Sequence, residues 1–94
     1  MRGILWYLMA GTRGGLNRAR IIQHLKERPS NANQLSEALG LDYKTIKHHL
    51  DVLIENNIID VVKKEDYGAV YLLSNLTERN YEVFKEILEK IGKK

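Results

Sequence analysis

Apolar and polar positions along this chain change their spacing several times, and each change marks an element. Ile4 to Ala10 is an unbroken apolar run of seven residues. A run this short has no diagnostic period, so helix and strand both fit it. Gly11-Thr12-Arg13-Gly14-Gly15 separates it from the rest of the chain, which makes residues 1–11 an appended arm. From about Asn17 to Glu27, Ile21, Ile22 and Leu25 follow a helical spacing, and Arg28-Pro29-Ser30 ends that helix. Asn31 and Gln34 then match a capping box, the first as N-cap and the second reaching back from the third helical position. The short helix so opened carries Leu35, Ala38 and Leu39, and Gly40 supplies a left-handed stop. Asp42 is placed to cap a further helix over roughly Tyr43 to Asn56, with Ile46, Leu50 and Leu53 on one stripe.

Beyond Asn56 the period shortens. Ile58 to Val62 is rich in β-branched residues, a polar stretch from Lys63 to Gly68 comes next, and Ala69 to Leu73 is again β-prone. Two such runs around a glycine-bearing turn predict an antiparallel hairpin. A last helical stripe of Tyr81, Phe84, Ile87, Leu88 and Ile91 lies between Thr77 and about Ile91. The predicted fold is mainly α with a small β-hairpin (α+β): a three-helical bundle plus wing over residues 12–76, with an N-terminal arm (1–11) and a C-terminal helix (77–94). Two helices joined by a tight turn and followed by a hairpin make a DNA-binding module.

Composition adds limits. At 94 residues the chain is one small domain, which buries only about 60–65% of its unfolded surface. It has no cysteine, which excludes disulfides and thiolate metal sites. A thin core without such staples favours association with a second copy. Residues 1–50 carry eight Lys/Arg against three Asp/Glu, and residues 51–94 carry seven against nine. A basic half joined to a mildly acidic one suits a surface that meets a polyanion, although a mixed solvated surface gives the same count. The apolar run falls far short of the ~20 residues that cross a bilayer. Met9-Ala10-Gly11 is a poor signal-cleavage site, and the chain begins at Met1. The expectation is therefore a cytoplasmic protein without a membrane anchor.

The stretch LSEALGLDYKTIKHHLDVL, residues 35–53, carries the strongest signal. Ser36 is small where the short helix crosses its partner, and Gly40 follows four residues later at the turn. With GTRGGLNRARII, NANQLSEALGLDYKTIKHHLDVLIENNII and the glycine-bearing wing, residues 12–76 resemble the winged helix-turn-helix of archaeal transcription regulators in the broad ArsR-like group. The resemblance implies a homodimeric DNA-binding regulator, with the helix at 43–56 in the major groove and the wing on flanking backbone. Ser36 stands where alanine is more usual. The paired cysteines of the group's metal sensors are absent, Ser30, Asn31 and Ala32 occupying that region, so no metal or other cofactor is expected.

Stepping 100° per residue from Ile46 puts Lys44, Thr45, Lys47, His48 and Asp51 on the outer or flanking faces, with Tyr43 at the border. Lys44 and Lys47 suit phosphates or guanine edges, and Thr45 and His48 are short enough for base edges. Lys63, Lys64 and Tyr67 fall at the wing tip, where Glu65 and Asp66 dilute the positive charge. Arg13, Arg18 and Arg20 cluster near the first helix of the bundle, where Arg13 and Arg18 suit backbone contacts. His48 and His49 point about 100° apart and cannot share a metal. His49 reads as a packed histidine.

The stripe of Tyr81, Phe84, Leu88 and Ile91 suits either the monomer core or a second copy, as do Leu5, Trp6 and Leu8 of the arm. A two-fold dimer built from these residues is the expectation, because so small a domain cannot readily cover both surfaces. No catalytic constellation is visible, so the chain is not expected to be an enzyme. The rival reading is a winged helix that serves as a protein-contact module of a larger transcription or assembly complex. The basic outer face of the helix at 43–56 favours double-stranded DNA.

Overall fold

The computed structural model describes residues 1–66 and 68–92 of the chain. Nine elements run in order: α1 (Arg2–Ala10), α2 (Gly15–Glu27), β1 (Ser30–Asn31), α3 (Ala32–Leu39), α4 (Tyr43–Glu55), β2 (Ile59–Lys64), β3 (Gly68–Leu73), α5 (Asn75–Arg79) and α6 (Tyr81–Gly92). The fold is a mostly helical winged helix with a small three-stranded antiparallel sheet ordered β1-β3-β2. Among the described residues no helix is long and apolar enough to cross a membrane.

The α3–turn–α4 unit is set by local chemistry. The Asn31 side chain accepts the Gln34 amide at 2.7 Å, and the Gln34 side chain accepts the Asn31 amide at 2.8 Å. The two bonds satisfy orphan donors at the start of α3. Gly40 closes that helix at φ 68°. The Ser36 carbonyl accepts the amides of Gly40 and Leu41, and the Ser36 hydroxyl donates to the Leu41 carbonyl at 2.5 Å. Asp42 then caps α4 by accepting the Thr45 amide at 2.8 Å. At the far end of α4, Asn57 takes the left-handed conformation (φ 59°). The amides of Asn57 and Ile58 return to the carbonyls of Ile54 and Leu53, a Schellman closure with Ile58 and Leu53 both fully buried.

The apolar arm is helix α1. It packs on α2 and α6, and buries Leu5, Leu8 and Met9 against the chain's own core. The corner between α1 and α2 is tight. A Cβ on Gly15 would lie 1.8 Å from the Met9 carbonyl oxygen, and one on Gly14, itself at φ +79°, would lie 2.6 Å from the His49 ring. The predicted hairpin forms with Val61 opposite Tyr71 and Lys63 opposite Ala69. Ser30 and Asn31 add a third strand through Tyr71 and Val70. Past Ile59, β2 is exposed at every position, so the wing projects from the core.

The predicted C-terminal helix is divided at Asn80. The Asn80 side chain donates to the Leu76 carbonyl at 2.8 Å and competes with helix continuation. Ser74 and Thr77 bind this region to the end of α4. The Ser74 hydroxyl donates to the Asn57 carbonyl at 2.9 Å, and the fully buried Thr77 hydroxyl donates to that of Ile58 at 2.8 Å.

Candidate nucleic-acid interface

Helix α4 has one face in the core and one in solvent. Ile46, His49, Leu50 and Leu53 are buried, whereas Tyr43, Lys44, His48 and Asp51 are exposed. Thr45 is half-buried and bound to the helix cap. Hydrogen bonds from Thr45, side chain first and then backbone, hold the Asp42 carboxyl below its ordinary value. Lys63 and Lys64 are exposed at the outer end of β2, and Arg13 is exposed at the α1–α2 corner. Tyr67 lies outside the described residues.

Lys47 does not stand free on the outer face. It is half-buried between α4 and the sheet, with its ammonium donating to the Tyr71 hydroxyl at 3.0 Å and lying 5.7 Å from that ring's centroid. This hydrogen bond is the leading reason why the Lys47 ammonium holds its proton above the ordinary lysine range. A cleft of about 240 Å³ opens at this point, lined by residues from the start of α3, the first turns of α4 and the inner wing strand. No sequence pattern singles out Tyr71. Only the pairing of β3 with both neighbours shows that its side chain comes under α4.

Arg18 does not face outward, contrary to the expectation that it meets the DNA backbone. It is 4% exposed. Its guanidinium donates to the Leu8 carbonyl at 3.0 Å, to the Arg13 carbonyl at 2.9 Å, to the Thr12 hydroxyl and to His49 Nδ1 at 3.2 Å. It thereby satisfies a carbonyl in the last turn of α1, where a cation is favourable. Arg20 is likewise engaged, donating to the Leu39 carbonyl at 2.8 Å. Arg18 can only donate, so His49 Nδ1 must accept and the imidazole is neutral. Burial first, then the charges of Arg18 and His48, push the His49 pKa below its ordinary value.

The residues expected to meet a second copy separate into two groups. Leu5, Leu8 and Phe84 are buried within the single chain and are not available to a partner. Tyr81 is turned toward α2, with the Lys26 ammonium 4.9 Å from its ring centroid and Phe84 beside it. Trp6 is 45% exposed, and Leu88 and Ile91 are partly exposed. Leu16, which no sequence pattern marks, is 66% exposed beside Leu88 and Ile91 in a groove between α1, α2 and α6.

Residues 17–61 match the family model described as the bacterial regulatory protein, arsR family. The match runs from α2 through the helix-turn-helix into β2. Among solved structures, the chain is similar to a probable transcriptional regulator from Pseudomonas aeruginosa (TM-score 0.70, 22% identity, over 95% of this chain and 72% of that one). It is also similar to the PcaV transcriptional regulator from Streptomyces coelicolor in complex with its natural ligand (TM-score 0.72, 19% identity, 95% and 65%). A third likeness is to the adhesin competence repressor AdcR from Streptococcus pyogenes (TM-score 0.65, 13% identity, 80% and 55%). At these identities the likeness shows a shared fold, and the chain spans little more than half the length of AdcR. No curated protein matches the chain.

Proposed function

We propose that this chain, whose residues 17–61 match the model of the arsR regulatory family, is a cytoplasmic transcription regulator that binds specific duplex DNA as a homodimer. The observation that carries this reading is the solvent face of α4. Tyr43, Lys44 and His48 are exposed along it, its inner face is fixed in the core, and Lys63 and Lys64 stand on the adjoining wing. A helix anchored on one side and basic on the other suits the major groove, whose base edges offer acceptors to Lys and His. In this reading Lys44, Thr45 and His48 meet bases with Tyr43 beside them. Lys63, Lys64, Tyr67 and Arg13 meet the flanking backbone, where contacts position without specifying.

Residues 12–76 are the DNA-reading unit, and the two flanks, 1–11 and 77–94, join the copies. A two-fold pair would set its two α4 helices about 34 Å apart, one turn of duplex, and so read a palindrome. We infer repression by occupancy of the site, in keeping with the repressor among the structural neighbours. The test uses a fluorescent duplex recovered by selection from a random library. The Lys44→Glu/His48→Glu variant should bind it at least about tenfold more weakly, since it loses one cation and places two anions on the face. Its melting temperature should match that of the parent protein. Equal affinity of the two proteins would overturn the assignment of this face.

A further inference from the structure

We propose that Lys47 and Tyr71 form a prebuilt seat for one phosphodiester of bound duplex DNA, in the cleft between α4 and the wing. The proposal rests on the DNA-binding reading above and gives Lys47 a role different from that of the exposed α4 residues. The Lys47 ammonium is held by the Tyr71 hydroxyl at 3.0 Å, and both side chains line the cleft.

The chemistry of the seat suits an anion. A lysine ammonium has three donors, and Tyr71 accepts one of them, which leaves N–H groups for another acceptor. Because the Tyr71 oxygen accepts from Lys47, its own O–H proton is directed elsewhere, and Tyr71 is only 3% exposed, which fixes the ring. Asn31, Ala32, Asn33, Tyr43, Gly68 and Ala69 complete the walls, and among the described residues no carboxylate lines the cleft. Among the described residues no ion pair neutralises Lys47. Asp51, one turn further along α4, acts on it only at longer range. An unneutralised cation beside a fixed hydroxyl, in a concave site bounded by neutral groups, matches the oxygens of a phosphodiester.

The position of the cleft selects the duplex backbone as the source of that phosphate. A helix in the major groove and a wing on the flanking groove have a sugar–phosphate strand running between them, and this is where the cleft opens. A contact made there by a preformed pair costs little ordering entropy and fixes how far α4 enters the groove.

The experiment measures affinity for a labelled mixed-sequence duplex of about 30 base pairs between about 50 and 200 mM salt. Lys47→Gln should reduce the slope of log affinity against log salt by about one, while Lys47→Arg keeps it. Tyr71→Phe keeps every charge, so it should weaken binding about tenfold with the slope unchanged. In the Lys47→Gln background the same Tyr71→Phe change should cost less than about twofold, because the two groups share one phosphate. An unchanged slope for Lys47→Gln overturns the proposal, and so do independent, multiplying effects of the two substitutions. If the parent protein shows no salt-dependent binding at all, the failure belongs to the DNA-binding reading. Melting temperatures within a few degrees of the parent identify the variants as folded, and the conservative pair Lys47→Arg and Tyr71→Phe keeps the comparison available if Lys47→Gln unfolds.

Discussion

His49 belongs to the helix that carries the candidate DNA face, yet it points the other way, into the joint between α1, α2 and α4. Its neutral ring accepts from Arg18 at 3.2 Å and lies against Gly14, where a Cβ would come within 2.6 Å. Protonation would set a second cation against the guanidinium in a buried place. The folded state therefore binds this proton less readily than the unfolded chain, whose histidine titrates near 6.5. By linkage, the stabilisation is fully present above that value and is lost as pH falls below it. Urea unfolding should show a falling midpoint between about pH 7.5 and 5, and His49→Asn should flatten the profile in that window. Asp42, whose pKa is also lowered, loses its contribution only at more acid pH, below 3.8, so the two effects separate along the pH axis. A midpoint that is level from neutral to mildly acid pH would refute the role given to His49.

At the scale of elements, two glycines at helix ends carry different loads. A Cβ on Gly40 would meet nothing within 4 Å, so its left-handed φ of +68° is the only constraint. A Cβ on Gly15 would sit 1.8 Å from a backbone oxygen of α1, which cannot move without shifting the helix. Gly40→Ala should therefore cost about 1–2 kcal/mol, and Gly15→Ala distinctly more, roughly 3 kcal/mol or above, because two helices must separate. Chemical denaturation of both variants checks the order, and equal costs would contradict the reading of the corner as a backbone contact.

The same contrast explains what was legible in the sequence. The capping box at Asn31, the stop at Gly40 and the cap at Asp42 act within a few residues, so composition and spacing revealed them. Strand β1 is two residues long and exists only because β3 lies beside it. The break at Asn80 has neither glycine nor proline to announce it. Arg18 reads as a surface cation until α1 is folded over it. Lys47 reads as an outward lysine until β3 brings Tyr71 within reach. In each missed case the partner is remote in sequence or defined only by packing.

For the whole molecule, the question is what covers the outer surface of α1 and α6. The two helices already pack together, with Arg2 and Glu86 paired at 3.0 Å across them. Their joint interior is filled by Leu5, Leu8 and Phe84, so the single chain is closed there. Around α6 an apolar band stays in solvent, with Leu16 at 66% exposure beside Leu88 and Ile91 and Trp6 at 45% beside Ile87. Exposed side chains of this size in one region mark a contact surface more often than ordinary solvated surface. A second copy related by two-fold symmetry would present the same band, so the patch is self-complementary in character. Sedimentation at micromolar concentration should give a species of twice the 10.9 kDa chain mass. Trp6→Glu with Leu16→Glu should shift it to the single-chain mass without loss of helical signal, since neither residue is buried. Phe84→Ala should instead lower stability by about 3–5 kcal/mol, as truncation of a buried aromatic does. Because α4 is untouched, the Trp6→Glu/Leu16→Glu variant should still bind a half-site weakly while losing the tighter binding to a full palindrome. A parent protein that sediments only at the single-chain mass would remove the dimer and, with it, the expectation of a palindromic site.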